Sequence, residues 1–339
     1  MRPPRSRYRL PEVLTLALLG GILFSGCAPR IMEPGEGDVP TEEKELLIYF
    51  VGIVGPTDLF HTIVYKGAMQ AGDDLGVKVV YIYPDKLTTS QYINKIEQAM
   101  AARPDGMVLM GMDEKATQPV AERARDQGIV LAFNPAPPVT ERVLRDPDDV
   151  YISRVGSDEY SAGKLAAEGL IKAGVKGKVF CGIHAPGDGT LSTRAKGLEE
   201  RLQEAGIDTD IRETPFDPGR CEAYLTDFLR ANPDTGGIVT LDSRLGASAR
   251  AAKKNVGRGE DLFLVGFDLD VPALESIQTG EMLFTIDQQQ FWRGYIPILE
   301  IVHHIRYGLT QSNYFLSGPN IVDASNVDKV LELTKKGYR

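Results

Sequence analysis

The fold is decided at residues 46–54, which read Leu-Leu-Ile-Tyr-Phe-Val-Gly-Ile-Val. An unbroken apolar run of this kind is typical of a β-strand that is buried on both faces, as in a parallel sheet covered by helices. Outward from it, helical spacing follows at 62–75, and short apolar strands then alternate with amphipathic helices as far as residue 133. This alternation predicts right-handed βαβ units and a parallel sheet.

The pattern stops in a Pro- and Asp-rich stretch at 134–149 and begins again at residue 160. The second block is similar to the first in size and order. Two such blocks in tandem predict an α/β chain of two Rossmann-like lobes with parallel sheets and a ligand cleft between them. In open parallel sheets the ligand lies beyond the carboxyl ends of the strands, so the residues just after each strand are the candidates for the site.

Composition excludes several classes of function. The 339 residues carry a formal net charge of −9, which argues against a general affinity for nucleic acid. Only 4 His are present, and they are scattered, so we expect no metal site and no cofactor. The chain has no Gly-x-Ser-x-Gly elbow and no phosphate-binding loop, so we expect no enzyme, although a glycosidase-like pair of carboxylates is the open alternative.

The first residues have the pattern of an export signal. Arginines at 2, 5, 7 and 9 precede an apolar run at 13–24, which ends in Ser25-Gly26-Cys27. The run is short for a membrane-spanning helix and favours a signal peptide over residues 1–26. The junction resembles a bacterial lipobox, which implies a lipid on Cys27 and an extracytoplasmic, membrane-anchored protein. An uncleaved anchor helix is the alternative. Residues 27–45 are rich in Pro, Gly and acid, and we expect a flexible tether there.

Two further cysteines, Cys181 and Cys221, leave two interpretations open. In an oxidising compartment they could form one disulfide. They could equally be two buried free thiols, because free cysteine is among the most buried residue types.

Polar and aromatic side chains follow the predicted strands throughout the chain. Carboxylates, amides and an arginine can pair with several hydroxyl groups at once, and an aromatic face can cover the apolar side of a sugar ring. The alternative for each strand-end Asp or Asn is that it caps the next helix, as we expect most strongly for Asp188 and Asp217. The candidates for ligand binding are Asp58, Phe60, His61, Asn134, Arg194, Phe216, Asp242, Asp268 and Gln288.

Residues 46–335 as a whole resemble the periplasmic sugar-binding proteins of ribose-binding type, which are type I solute-binding proteins of ATP-driven (ABC) importers. The local matches lie at 60–68, 156–163, 194–198, 266–268 and 284–290. Their order and spacing over nearly the whole chain carry the resemblance.

The resemblance implies a role for each candidate. Asp58 is placed as a polar residue before two stacking aromatics, Phe60 and His61. Asn134 falls on a hydroxyl-binding acid, and Arg194 on an arginine that donates to sugar oxygens. Phe216 falls on a stacking aromatic and Asp242 on a hydrogen-bonding amide. Asp268 falls on an acid that accepts hydroxyl protons, and Gln288 on an amide at the hinge.

The chain departs from the family pattern in several places. His61 replaces an aromatic, Asn134 an acid and Asp242 an amide, and the segment 128–131 is one residue short. The polyol class is compatible with these changes, whereas ribose itself is not favoured over an inositol, another pentose or a hexose.

The resemblance also implies a lobe organisation and partners. An N-terminal lobe would comprise 46–157 plus 289–317, and a C-terminal lobe 158–288 plus 318–335, with three crossings between them near Gly156–Asp158, Gln288–Gln290 and Ser317–Pro319. The expected partners are a sugar or polyol, an ABC permease with its ATPase, and the membrane through the lipid; we expect a monomer. A sensor subunit that presents its ligand to a membrane chemoreceptor or kinase is the alternative function.

Overall fold

The computed structural model describes residues 44–56, 59–111, 114–134 and 149–339, which form one compact unit. In chain order its strands and helices are β1 Leu47–Val51, α1 Leu59–Leu75, β2 Lys78–Ile82, α2 Thr89–Ala101, β3 Gly106–Met110, α3 Glu114–Asp126, β4 Val130–Asn134, β5 Ser153–Ser157, α4 Glu159–Ala173, β6 Lys178–Ile183, α5 Gly189–Glu204, β7 Thr209–Glu213, α6 Pro218–Ala231, β8 Thr235–Thr240, α7 Ser243–Asn255, β9 Phe263–Phe267, α8 Val271–Gln278, β10 Phe284–Asp287, α9 Gln290–Tyr307, β11 Phe315–Gly318, β12 Asn320–Asp323 and α10 Val327–Lys335.

The predicted signal peptide, the lipidation site Cys27 and all but the last two tether residues lie outside the described part of the chain. Within the described part, no helix is both long enough and apolar enough to span a bilayer.

The strands form two sheets, and the prediction of a two-lobed α/β fold with parallel sheets is confirmed. The first sheet has the order β11-β5-β4-β3-β1-β2, with all neighbours parallel. The second has the order β12-β10-β9-β8-β6-β7, in which β12 runs antiparallel to β10. The antiparallel edge strand was not predicted, because its sequence at 320–323, Asn-Ile-Val-Asp, is too short to show a direction.

Helices cover both faces of each sheet, which explains the continuous apolar runs of the strands. In the first lobe, α1 and α9 pack on one face and α2 and α3 on the other. In the second lobe, α4 and α5 cover one face, while α6, α7, α8 and α10 cover the other. The late helix α9 therefore belongs to the first lobe, although it follows the last strand of the second lobe's parallel series.

In each lobe, one pair of helices crosses at glycine residues, where the two backbones are in direct contact. A Cβ on Gly163 of α4 would overlap the Arg194 carbonyl oxygen of α5, and a Cβ on Gly197 would overlap a carbonyl of α4. The first lobe repeats this arrangement with Gly67 of α1 and Gly294 of α9. The absent side chains let the two backbones touch, so the register of each helix pair is fixed.

The chain passes between the lobes three times. It leaves the first sheet after Ser157, returns between Asp287 and Gln290, and leaves again at the Gly318–Pro319 bond, which is cis. Hydrogen bonds tie the crossings together, since the Asp158 amide donates to the Gly318 carbonyl and the Ser317 hydroxyl donates to the Gln288 carbonyl.

The disulfide interpretation is wrong in this structure, because both thiols are free. Cys181 packs among α4 and α5, whereas Cys221 packs in the core on the opposite face of the second sheet. The sheet itself separates the two side chains. Burial raises the pKa of the Cys181 thiol to about 12, so it is unreactive at neutral pH.

Candidate ligand-binding cleft

A cleft of about 380 Å³ opens at the carboxyl ends of the strands, between the two lobes. This volume lies in the range of about 300–1,000 Å³ that is usual for small-molecule sites. The first lobe lines it with Ile53, Leu59, Phe60, His61, Ile63, Met110 and Gly111, and the second mainly with Glu159, His184, Asp188, Arg194, Asp242, Arg244, Asp268 and Asp270. Gln288, Gln290, Arg293 and Arg339 complete the lining.

Six of the predicted ligand-binding residues reach this cleft, namely Phe60, His61, Arg194, Asp242, Asp268 and Gln288. Asp58 lies outside the described residues. Asn134 and Phe216 do not line the cleft.

Arg194 is fixed by a buried ion pair. Its Nε lies 2.6 Å from Glu159 Oε2, its Nη1 donates to the Leu241 carbonyl at 3.1 Å, and its guanidinium stacks on the Phe267 ring at 4.7 Å. The helices that carry both partners begin at capping aspartates, Asp158 and Asp188. The caps are separate residues from the charged side chains, since Glu159 is the first residue of α4 and Arg194 lies further along α5, so capping and ligand approach are compatible in this structure.

Asp268 is a half-buried acceptor directly after β9. Its Oδ1 accepts hydrogen bonds from Gln288 Nε2 at 2.6 Å and from Gln290 Nε2 at 3.1 Å. Its backbone has a φ of +66°, and both its amide and its carbonyl are bonded to β10. Burial raises the pKa of Asp268 to about 7, against the opposing effect of the nearby Arg194. A hydrogen-bond acceptor that titrates near neutrality thus faces the cleft.

Asn134 is bonded to Arg293 and does not approach the cleft. Its Oδ1 accepts from Arg293 Nε at 3.0 Å and Nη2 at 2.7 Å, and its Nδ2 donates to the Arg293 carbonyl at 2.9 Å. Arg293 also donates to Gln288 Oε1 at 2.9 Å and stacks over Phe60 at 5.2 Å. The direct ligand contact expected of Asn134 is not observed. Asn134 instead positions a guanidinium that lines the cleft.

Phe216 is 55% exposed, and Arg244 covers its ring at 4.5 Å. The same guanidinium forms a bidentate ion pair with Asp242, in which Nε lies 2.9 Å from Oδ1 and Nη2 lies 2.7 Å from Oδ2. Burial acts to raise the pKa of Asp242, but the Arg244 guanidinium keeps it below its usual value. Asp242 is therefore ionised and already paired, and the predicted stacking role of Phe216 is not seen.

His184 lies beside this pair, with its ring 5.8 Å from Phe216. Burial lowers the pKa of His184, and its Nδ1 is buried without a hydrogen-bond partner in the described residues. A neutral imidazole with an unused nitrogen can bond to one ligand hydroxyl.

The candidates derived from the sequence did not include several charged or polar cleft residues, among them Glu159, Arg244, Gln290 and Arg293. A signal existed for Glu159, since it directly follows the helix cap Asp158. None existed for Arg293, which lies 159 positions from its partner Asn134. Across the described ranges, no group of three or more His, Cys, Asp or Glu side chains could hold a metal ion.

Comparison with known proteins gives one family and several relatives. The family model described as a periplasmic binding protein domain matches residues 48–308. The chain is 24% identical over 295 residues to the xylose/arabinose-binding protein XylF of Sulfolobus acidocaldarius, covering 83% of this chain and 71% of that protein. It is also 24% identical over 269 residues to the D-apiose import binding protein of Actinobacillus succinogenes, with coverages of 78% and 84%.

Among solved structures, a carbohydrate transporter from Acidothermus cellulolyticus 11B in complex with myo-inositol superimposes with a TM-score of 0.75. The two sequences are 24% identical, and the match covers 87% of this chain and all of the other. At this identity the likeness shows a shared fold.

Proposed function

Because the chain belongs to the periplasmic binding protein domain family, we propose that it captures a sugar or related polyol in the cleft and delivers it to the permease of an ABC importer. The family is one of solute-binding proteins, and the chain is not an enzyme.

The chemistry of the cleft carries the proposal. Asp268 offers an acceptor, while Arg194 and Arg293 offer donors at fixed positions. Phe60 and His61 supply ring faces from the other lobe. A polyol matches this mixture, because each hydroxyl left unpaired on burial costs about 1–3 kcal/mol.

The ligands named for similar proteins support the same class. Xylose or arabinose, D-apiose and myo-inositol, which those proteins bind or import by name, are all compact polyols. Their ring sizes differ, so the relatives favour a class and no single sugar.

Hinge closure is the proposed mechanism. The proposed lobes, 46–157 plus 289–317 and 158–288 plus 318–335, would tilt about the three crossings, and a ligand that contacts both walls would shift the population toward the closed form. The permease would then recognise the closed form. The bonds among Asp158, Gly318, Ser317 and Gln288 support a hinge that bends as one unit.

A lipid anchor on Cys27 remains part of the proposal. It rests on the basic and apolar segments before Ser25-Gly26-Cys27, and residues 27–45 would act as the tether. Expression in a bacterial host should give a membrane-associated protein of increased lipid mass. Cys27→Ser should release it, and an unlipidated wild-type product would refute the anchor.

The ligand class is tested by thermal unfolding of the full chain carrying Cys27→Ser, screened against pentoses, hexoses, inositols and nucleosides. One polyol class should raise the melting temperature, since binding to the folded state stabilises it by mass action. Asp268→Asn should abolish that rise, whereas Asp227→Asn, at a carboxylate 79% exposed on α6, should preserve it. A full response from the Asp268 variant would show that the ligand lies elsewhere.

A further inference from the structure

The residues that follow α10 return to the opposite lobe. Helix α10 packs on α8 and β12 in the second lobe. Gly337 then turns the chain with a φ of +79°, and it lies so close to Lys66 of α1 that a Cβ there would overlap the lysine ammonium. The Tyr338 ring packs against Phe291 of α9 at 6.0 Å. Residues 337–339, here termed the strap, thus contact the first lobe.

Arg339 ends the strap at the hinge. Its guanidinium pairs with Asp287 Oδ2 through Nε, at 3.1 Å, and through Nη2. The Asp287 side chain is 0% exposed, and its other oxygen accepts from the Gln289 amide at 2.8 Å. Asp287 is the last residue of β10, so this buried carboxylate lies at the point where the chain crosses between lobes.

The pair is one residue from the ligand cleft. Gln288, which follows Asp287, donates to Asp268 and accepts from Arg293. Arg339 itself also lines the cleft. A change at Arg339 would therefore alter the carboxylate that anchors this crossing, and through it the orientation of Gln288.

We propose that the strap is a fourth link between the lobes and that Arg339 is a positioning residue, which holds the closed cleft through Asp287. This inference rests on the proposed function only for its affinity measurements. Removing Arg339 leaves the Asp287 carboxylate buried without its cation, which favours an arrangement in which the hinge opens and water reaches the carboxylate.

A double-mutant cycle tests the coupling, using Arg339→Ala, Asp287→Asn and the double variant in the full chain carrying Cys27→Ser. Arg339→Ala should weaken binding of the sugar found in the thermal screen about tenfold, as expected for loss of a charge-assisted hydrogen bond at a partly exposed site. Arg339→Lys should lose less. The double variant should be much less impaired than the product of the two single effects. Independent, multiplicative effects would overturn the proposal.

Lobe opening supplies a readout that needs no ligand. In the chain carrying Cys27→Ser, spin labels on Asn94→Cys of α2 and Lys254→Cys of α7, both exposed positions, would report the distance between lobes, since the two remaining thiols, Cys181 and Cys221, are buried. In the ligand-free protein, Arg339→Ala should shift the distance distribution toward the open form. Lys335→Ala, which removes an exposed ion pair with Glu275 inside the second lobe, is the matched control and should not. An unchanged distribution in Arg339→Ala would refute the strap even if no sugar binds, and a shift would support it regardless of the ligand.

Discussion

The two walls of the cleft differ in chemistry. The second-lobe wall is charged and internally bonded, with Arg194, Asp242 and Asp268 each held by neighbours. The first-lobe wall presents mainly apolar and aromatic side chains, Phe60, Ile63 and Met110, together with His61 and the guanidinium of Arg293 from α9. Under the proposed function, we expect the second lobe to make most of the hydrogen bonds to ligand hydroxyl groups, and the first lobe to cover the ring, exclude water and add the Arg293 donor.

The largest expected effect lies on the charged wall. Arg194→Ala should abolish ligand binding and should also destabilise the fold by about 3–5 kcal/mol, because it leaves Glu159 buried without a partner. Urea unfolding measures the second effect. Arg194→Met combined with Glu159→Gln should recover most of the stability and none of the binding. Wild-type stability in the single variant would show that Glu159 is not buried as the structure has it.

The next largest effect is the pH dependence of ligand affinity, which we expect from the protonation of Asp268 in the second-lobe wall. With the pKa of Asp268 at about 7, only about a tenth of the carboxyl groups are ionised at pH 6 and about nine tenths at pH 8. Because a ligand hydroxyl donates to the ionised form, affinity should rise about tenfold between these values. Titration calorimetry at several pH values measures this, and Asp268→Asn should give a weak and flat profile. A flat profile in the wild type would mean that the carboxyl keeps one protonation state.

Aromatic substitutions compare the two lobes directly. Phe60→Ala should weaken binding about tenfold, because it removes a ring that lines the cleft and supports Arg293. Phe216→Ala should change affinity less than about twofold, since Phe216 is half exposed, lies beyond the cleft lining and contacts Arg244 and the His184 ring. The dissociation constants of the two variants for the same ligand measure this difference. Equal losses would restore the stacking role that the sequence assigned to Phe216.

The smallest effect on binding is expected from Glu300, a buried acid of α9 outside the cleft. Burial raises the pKa of Glu300 to about 8, and it bonds to the Ser153 hydroxyl. The folded chain therefore keeps this proton to higher pH than the unfolded chain, so the stability due to this group is full below about pH 4 and is lost as the pH rises to about 8.

Glu300→Gln should accordingly flatten the pH dependence of unfolding and leave affinity unchanged. Chemical denaturation at pH 5 and pH 8, with calorimetry at both, separates the two outcomes. A matching change in affinity would mean that the α9 core is coupled to the cleft.

The sequence predicted most of the fold because the decisive pattern is local. The run at 46–54 and the alternation after it depend only on neighbours in the chain. The return of α9 to the first lobe could not be seen in periodicity, since an amphipathic helix shows that it is covered but not by which sheet. The family resemblance supplied that placement.

The candidate site was predictable where a side chain follows its own strand, as with Asp268. The site was not predictable where a residue distant in the sequence binds a strand-end side chain and turns it away from the cleft. Asn134 ends β4 as expected, but Arg293 occupies all of its hydrogen-bonding groups. Phe216 likewise follows β7, but Arg244 covers it. Both partners come from separate helices, and side-chain direction at such distances is decided by packing.

The glycine crossings of α4 with α5 and of α1 with α9 have a mechanical consequence. Because the two backbones are in direct contact, no layer of side chains lies between them that could allow sliding, so we expect each helix pair to move as one rigid unit. Arg194 lies on α5 in the first of these helix pairs, and Arg293 lies on α9 in the second. If the lobes close as proposed, the spacing of groups within each helix pair would stay constant, and ligand binding would change mainly the angle between the two pairs.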